Sequence, residues 1–257
     1  MKKTILSILI LIFVSSNFSF ADDFSDAVVK AKKDLYSASD KNDMNGLLKA
    51  RGEFERTLQL KKNQWLVDYY LAYSDFLISY TFMQSQDKDK IRKYTESSLD
   101  LLNKCTDMKD DFSEAYILKM SVEGNRWMYE PDKMNDIIAK TAEATDKAKK
   151  LEPDNPRFHL VSGMGTFYTP EAFGGGVDAA LPSFLKSYEL FQTRKEKNET
   201  YPDWGYATCA GMIAICKIQQ DKMDEAKQYI DKGLEIDPDS GFITNYVQKA
   251  YDDKLKK

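Results

Sequence analysis

The sequence predicts an all-α protein, a solenoid of about five helical hairpins closed by a C-terminal capping helix. Three observations lead there. From Asp22 onward, apolar residues recur at spacings of three and four, the period of an amphipathic helix, with no convincing strand alternation. The two clearest stripes stop at prolines: Met223, Ala226, Tyr229, Ile230, Gly233, Leu234 and Ile236 before Asp237-Pro238, and Ala139, Ala142, Thr145, Ala148 and Leu151 before Glu152-Pro153. The two endings also resemble each other, Lys149-Lys150-Leu151-Glu152-Pro153-Asp154-Asn155 against Gly233-Leu234-Glu235-Ile236-Asp237-Pro238-Asp239-Ser240, and a repeated ending points to a repeated unit.

Composition agrees with a chain that buries a core: 257 residues, 42% hydrophobic, 12% aromatic and 30% charged. The apolar fraction is too high for disorder. Net charge is −4 with acids and bases interleaved, so no basic face advertises nucleic acid. One histidine, His159, excludes His-rich metal clusters and most His-based catalysis.

Residues 1–21 read as an export signal. Lys2 and Lys3 form a positive start, Ile5 to Val14 is an apolar run broken by Ser7, and Ser19-Phe20-Ala21 has the small-x-small form of a signal-peptidase site. The run is about ten residues, whereas a bilayer span needs roughly 20. The expectation is cleavage near Ala21 and a soluble periplasmic or otherwise exported chain with no stable membrane span. The first cysteine is Cys105, far from that site, so no lipid-modified N-terminus is expected.

From there residues 22–257 read as one repeat domain. The units run roughly 23–63, 64–111, 112–155, 156–202 and 203–239, followed by a last helix near 242–256. That last helix is expected to cap the apolar end with Tyr246, Val247, Ala250 and Tyr251 facing inward.

The last unit resembles a tetratricopeptide repeat. Ala210, Ile213, Ala214 and Lys217 stand where that repeat has tryptophan, leucine, glycine and tyrosine. Ala226, Ile230 and Gly233 match its alanine, its bulky residue and its second small residue, and Pro238 closes it. Unit four matches in part, with Met164-Gly165 and Tyr168 in its first helix and Ala180, Phe184 and Ser187 in its second. Lys217, Pro182 and the long units depart from the pattern. A looser resemblance covers residues 160–240: Tyr168-Thr169-Pro170-Glu171-Ala172-Phe173-Gly174-Gly175-Gly176 followed by Ala180-x3-Phe184 is similar to exported tetratricopeptide-like proteins, including the helical T component associated with TRAP transporters.

Chemistry is sparse. Gly174 to Gly176 lacks the lysine and hydroxyl residue of a phosphate loop and has no strand before it, so a tight inter-helix turn needing positive φ is the better reading. No G-x-S-x-G nucleophile motif occurs, and the carboxylates Asp107, Asp110, Asp111, Asp237 and Asp239 sit at expected turns without calcium-loop spacing. No cofactor and no metal site is expected. Cys209 and Cys216, seven residues apart on an expected helix, lie about 10 Å apart along its axis. That is beyond disulfide reach, so at most one bridge can form and it must use Cys105; buried thiols acting as small hydrophobes are the preferred reading for the three.

The tetratricopeptide register of unit four puts His159, Ser162, Thr166 and Thr169 on the groove face of its first helix. The same face of the last unit carries Thr208, Gly211, Ile215 and Gln219. Aromatics crowd at Trp65, Tyr69, Tyr70 and Tyr73, and again at Phe167, Tyr168, Phe173, Trp204 and Tyr206 around the glycine loop. The candidate binding set is therefore His159, Ser162, Thr166, Thr169, Tyr168, Phe173, Gly174, Gly175, Trp204, Thr208 and Ile215. Two functions fit: a non-catalytic scaffold holding a protein or peptide partner in a concave groove, or a carrier of a small apolar or amphipathic ligand beside a transporter.

Overall fold

Helices start and stop where the punctuation places them. The protein is described by a computed structural model covering residues 23–256; residues 1–21, expected from sequence to be an export signal, lie outside the described residues. Those residues form 11 α-helices and no strand. The hairpins are α1 (Asp23–Asp40) with α2 (Met44–Thr57), α3 (Gln64–Thr81) with α4 (Lys88–Met108), and α5 (Ser113–Asn125) with α6 (Met134–Leu151). They continue as α7 (Pro156–Tyr168) with α8 (Val177–Thr193) and α9 (Tyr206–Gln219) with α10 (Met223–Ile236). A π-helical turn, Ile243–Val247, then leads into α11 (Gln248–Leu255).

Local chemistry sets the boundaries. Asp43, Asp87 and Asn155 accept hydrogen bonds from the first-turn amides of α2, α4 and α7, and Pro156 occupies the first position of α7, where its missing N–H costs nothing. Three hairpin turns are built alike. A left-handed residue, Asn42, Gln86 or Asp221, is followed by an amide that reaches back five residues: Asp43 to the Ala38 carbonyl, Asp87 to Phe82, Lys222 to Lys217. This is the Schellman closure of a helix end.

Within a hairpin, small residues let the two helices approach. Ala226 and Ile230 are fully buried, and a Cβ on Gly233 would lie 2.3 Å from Ile243 and 3.3 Å from Ala210. In unit four the close approach falls at Gly163, where a Cβ would meet Phe184 at 2.7 Å, whereas Gly165 faces open space. The sequence register there is thus corrected toward the N-terminus. Between hairpins, α2 packs on α3, α4 on α5 and α8 on α9, but at the third junction it is α5, not α6, that meets α7. With no helix stacked on its far side, α6 buries only Ile137, Ala144 and Ala148, and Ala139, Ala142 and Leu151 of the expected stripe stay exposed. The capping helix also differs from expectation. Val247 is buried, but Tyr246 is 59% exposed, because a π turn holds more residues per revolution and rotates the following face.

The stack curls until its ends touch. Gly241, just before the C-terminal helix, donates its amide to Asp40 at the end of α1 (3.3 Å), 201 residues away in sequence.

Candidate functional site

The first helices of the hairpins (α1, α3, α5, α7, α9) form the inner wall, and much of that wall is already covered. The connection between α8 and α9, residues 194–205, runs across it as a strap. Its N-terminal end is held by ions. Arg157, fully buried on α7, reaches Glu114 of α5 (2.8 Å), Glu196 of the strap (2.6 Å) and the Trp204 carbonyl (3.2 Å). Arg194 pairs with Glu152, which also accepts from Ser113 (2.6 Å) and Asn155 (2.8 Å). Burial would raise the Glu152 pKa, but these three partners prevail and hold its carboxyl below the ordinary value.

The C-terminal end, where Arg157 of α7 holds the Trp204 carbonyl, is also held by α1 and α3. Lys32 meets the carbonyls of Glu199 (2.7 Å) and Tyr201 (3.2 Å) and the Asp203 carboxylate (2.7 Å). The Tyr70 hydroxyl donates to the Thr200 carbonyl at 2.8 Å, and the Trp204 indole donates to the Tyr69 hydroxyl at 2.9 Å. Trp204 stacks on Tyr73 with centroids 5.4 Å apart.

Beyond Trp204 the wall is aromatic, buried at Tyr69 and Tyr73 and open at Tyr80. Tyr69, Tyr73, Phe76 and Tyr80 follow one face of α3, each ring in contact with the next at 5.5–6.4 Å. Tyr80 is 48% exposed, Tyr168 at the end of α7 is 66% exposed, and Tyr246 joins them from the C-terminal helix. Although these side chains reach solvent, burial of the hydroxyls raises the pKa of Tyr80, and that of Tyr168 to about 12. Tyr246 adds to both shifts and Tyr80 adds to that of Tyr168, so phenols from three separate elements converge. The Tyr36 hydroxyl of α1, whose ring lies edge-on to Tyr73 at 6.3 Å, is buried with no hydrogen-bond partner. The result is an aromatic surface with Trp204 and Tyr73 at its strap end and the exposed phenols of Tyr80, Tyr168 and Tyr246 at the other. It suits flat apolar surfaces carrying a few acceptors.

The residues singled out from sequence are distributed as follows. Arg157 and Leu160 meet the strap at Gly205. At 100° per residue Tyr168 continues their line, while His159, Ser162, Thr166 and Thr169 occupy the opposite half of α7. Their polar groups turn back on their own chain: His159 Nε2 lies 2.9 Å from the Pro153 carbonyl, Thr166 donates to Ser162 and Thr169 donates to Gly165. The Ser162 hydroxyl is buried without a partner. Thr208 is half-buried at the start of α9, and Ile215 is packed inside with Ala226 and Val247. Gly174 (φ 82°) and Gly176 (φ 95°) form the turn, and a Cβ on Gly175 would come within 2.0 Å of the Thr169 carbonyl. That turn carries Phe173 outward at 81% exposure. Of the set, Tyr168 and Trp204 share the inner side. Sequence reasoning missed Phe76, Tyr80, Tyr246, Lys32 and Arg157; the signal available was the aromatic spacing of four, three and four along α3.

The three cysteines are free and buried, and burial pushes each thiol up to about 12. Among the described residues no group of three or more His, Cys, Asp or Glu side chains is placed to hold a metal ion. No described helix is long and apolar enough to cross a membrane. An outer groove of about 630 Å³ between α2 and α4 is lined by Arg51, Arg92, Lys93, Glu96 and Asp100 among others. Its Arg51 is already committed to Asp75 and Glu55.

No protein-family model matches the chain, and no curated protein matches it in sequence. Solved structures do. A thermophilic TPR protein of Thermus thermophilus aligns with TM-score 0.57 at 14% identity, over 91% of this chain and 100% of that one. The fold is tetratricopeptide-like. The HusA haemophore from Porphyromonas gingivalis aligns with TM-score 0.62 at 21% identity, over 79% of this chain and 96% of that one. At these identities the likeness is one of fold.

Proposed function

We propose that this tetratricopeptide-like protein is an exported, non-catalytic binding protein that holds a flat apolar or amphipathic ligand on the aromatic surface between α3, α7 and the C-terminal helix. The observation that carries the reading is the aromatic run Tyr73–Phe76–Tyr80 faced by Tyr168 and Tyr246. Rings supply broad contact at low entropic cost, and phenol hydroxyls donate hydrogen bonds to acceptors at a ligand's edge. The strap favours a small ligand over a long peptide, because residues 194–205 already occupy the adjoining part of the inner wall. The leader-like residues 1–21 support export. One structural neighbour is described as a haemophore, so a tetrapyrrole is the first ligand to try.

The test is titration of the chain lacking residues 1–21 with ferric haem, followed by absorbance. Tyr80→Ala and Tyr168→Ala are each expected to weaken binding about ten-fold, the effect of one well-placed aromatic. Unchanged affinity in both variants overturns the reading. A second reading, a protein partner docking on the glycine-loop side, is favoured by Phe173, held outward at 81% exposure. Crosslinked capture that depends on Phe173 and not on Tyr80 would select it.

A further inference from the structure

The two ends of the strap are fastened differently. The Arg194–Glu196 end is tied to α5, α6 and α7 through several partners, so losing one leaves the others in place. The Glu199–Trp204 end is fastened by Lys32 of α1, by Tyr69 and Tyr70 of α3 and by Arg157 of α7 at the Trp204 carbonyl, and Lys32 alone supplies three of these bonds. Lys32 has 5% of its side chain exposed, and its ammonium meets three strap oxygens, two carbonyls and one carboxylate. An ammonium has three N–H donors and no acceptor, so this group is wholly used by the strap. In the same segment the Tyr70 hydroxyl donates to the Thr200 carbonyl and the Trp204 indole donates to the Tyr69 hydroxyl. Trp204 in turn stacks on Tyr73, at the strap end of the aromatic surface.

We propose that Lys32 is the latch of the strap: it positions Trp204 against Tyr73, and release of residues 199–204 governs how fast a ligand reaches and leaves the aromatic surface. The second half of this proposal rests on the ligand-binding reading above; the first half stands without it. Lys32 touches no part of that surface itself and acts through the strap.

Two variants separate the parts. Lys32→Met keeps the apolar stem and removes all three bonds, whereas Asp203→Asn, at a half-exposed position, removes the ion pair and leaves both carbonyl bonds. Hydrogen exchange on the ligand-free protein reads the latch directly. The amides of Thr200 and Tyr201, which are bonded to Asn198 within this segment, are expected to exchange on the order of ten-fold faster or more in Lys32→Met, and by a smaller factor in Asp203→Asn, with α9 and α10 unchanged. Loss of bound ferric haem to excess apomyoglobin is expected to quicken in the same order. Exchange in 199–204 equal to that of the unaltered protein in both variants overturns the latch. If Lys32→Met loses protection along the whole chain, Asp203→Asn decides, since a change confined to 199–204 upholds the latch and no change rejects it. A loosened strap in a protein that never holds haem keeps the latch and sinks the ligand reading. Equal haem loss in all three proteins, with the strap loosened, overturns the control of exchange.

Discussion

Arg157 shows how much one residue organises. Its guanidinium has no exposed surface and joins α5, α7 and the strap through Glu114, Glu196 and the Trp204 carbonyl. Breaking a buried ion pair by removing one partner leaves an uncompensated charge and costs about 3–5 kcal/mol. Arg157→Met is therefore expected to lower the denaturation midpoint sharply, and Glu114→Gln to do so less, in parallel urea titrations. Titration at two carboxylates has opposite signs. Glu152 is held below its ordinary pKa, so its contribution is present above about 4.3, the unfolded value, and is lost as pH falls through the folded one. Asp40 is raised by burial, with Asp237 and Asp239 adding to the shift. Its ionised form thus costs stability once pH rises past the unfolded value. Asp40→Asn, which keeps the oxygen facing Gly241, should raise Tm at pH 7 and change it little at pH 3.

At the scale of helices, the repeat is written in small residues and in turns. Ala226 is fully buried at a helix–helix contact, so Ala226→Trp overpacks it and is expected to cost on the order of 1–3 kcal/mol or more. His159→Ala, on the half of α7 turned away from the strap, should leave the melting curve almost unmoved. An unchanged curve for the Ala226 variant would refute the helix contact itself. The prolines, caps and apolar spacing made these hairpins readable, because each is settled within a few residues by steric and hydrogen-bonding rules. The register of α7 was not. Gly163 and Gly165 look equivalent in sequence, and the difference between them is that Phe184, twenty-one residues after Gly163, lies against it. The π turn before α11 was likewise unreadable, and it is what turns Tyr246 outward toward Tyr80 and Tyr168.

Across the whole molecule the telling contact is the meeting of α1 with the approach to α11. A Cβ on Gly241 would stand 1.8 Å from the Asp40 carbonyl oxygen, so Gly241→Ala must part the two ends. The expected outcome is a larger radius of gyration in small-angle scattering together with a lower Tm; unchanged scattering would mean the stack holds its curl without that contact. Local pattern was enough for the all-α class, the five hairpins, their turns and the burial of the cysteines, since periodicity and punctuation act over short stretches of chain. The candidate site depended on contacts between residues far apart in sequence. Nothing near Trp204 announces that it will lie on Tyr73, and nothing near Lys32 announces three partners about 170 positions away. Those pairings arise from the curl of the stack, which accumulates small rotations at every hairpin junction and is expressed in no single segment.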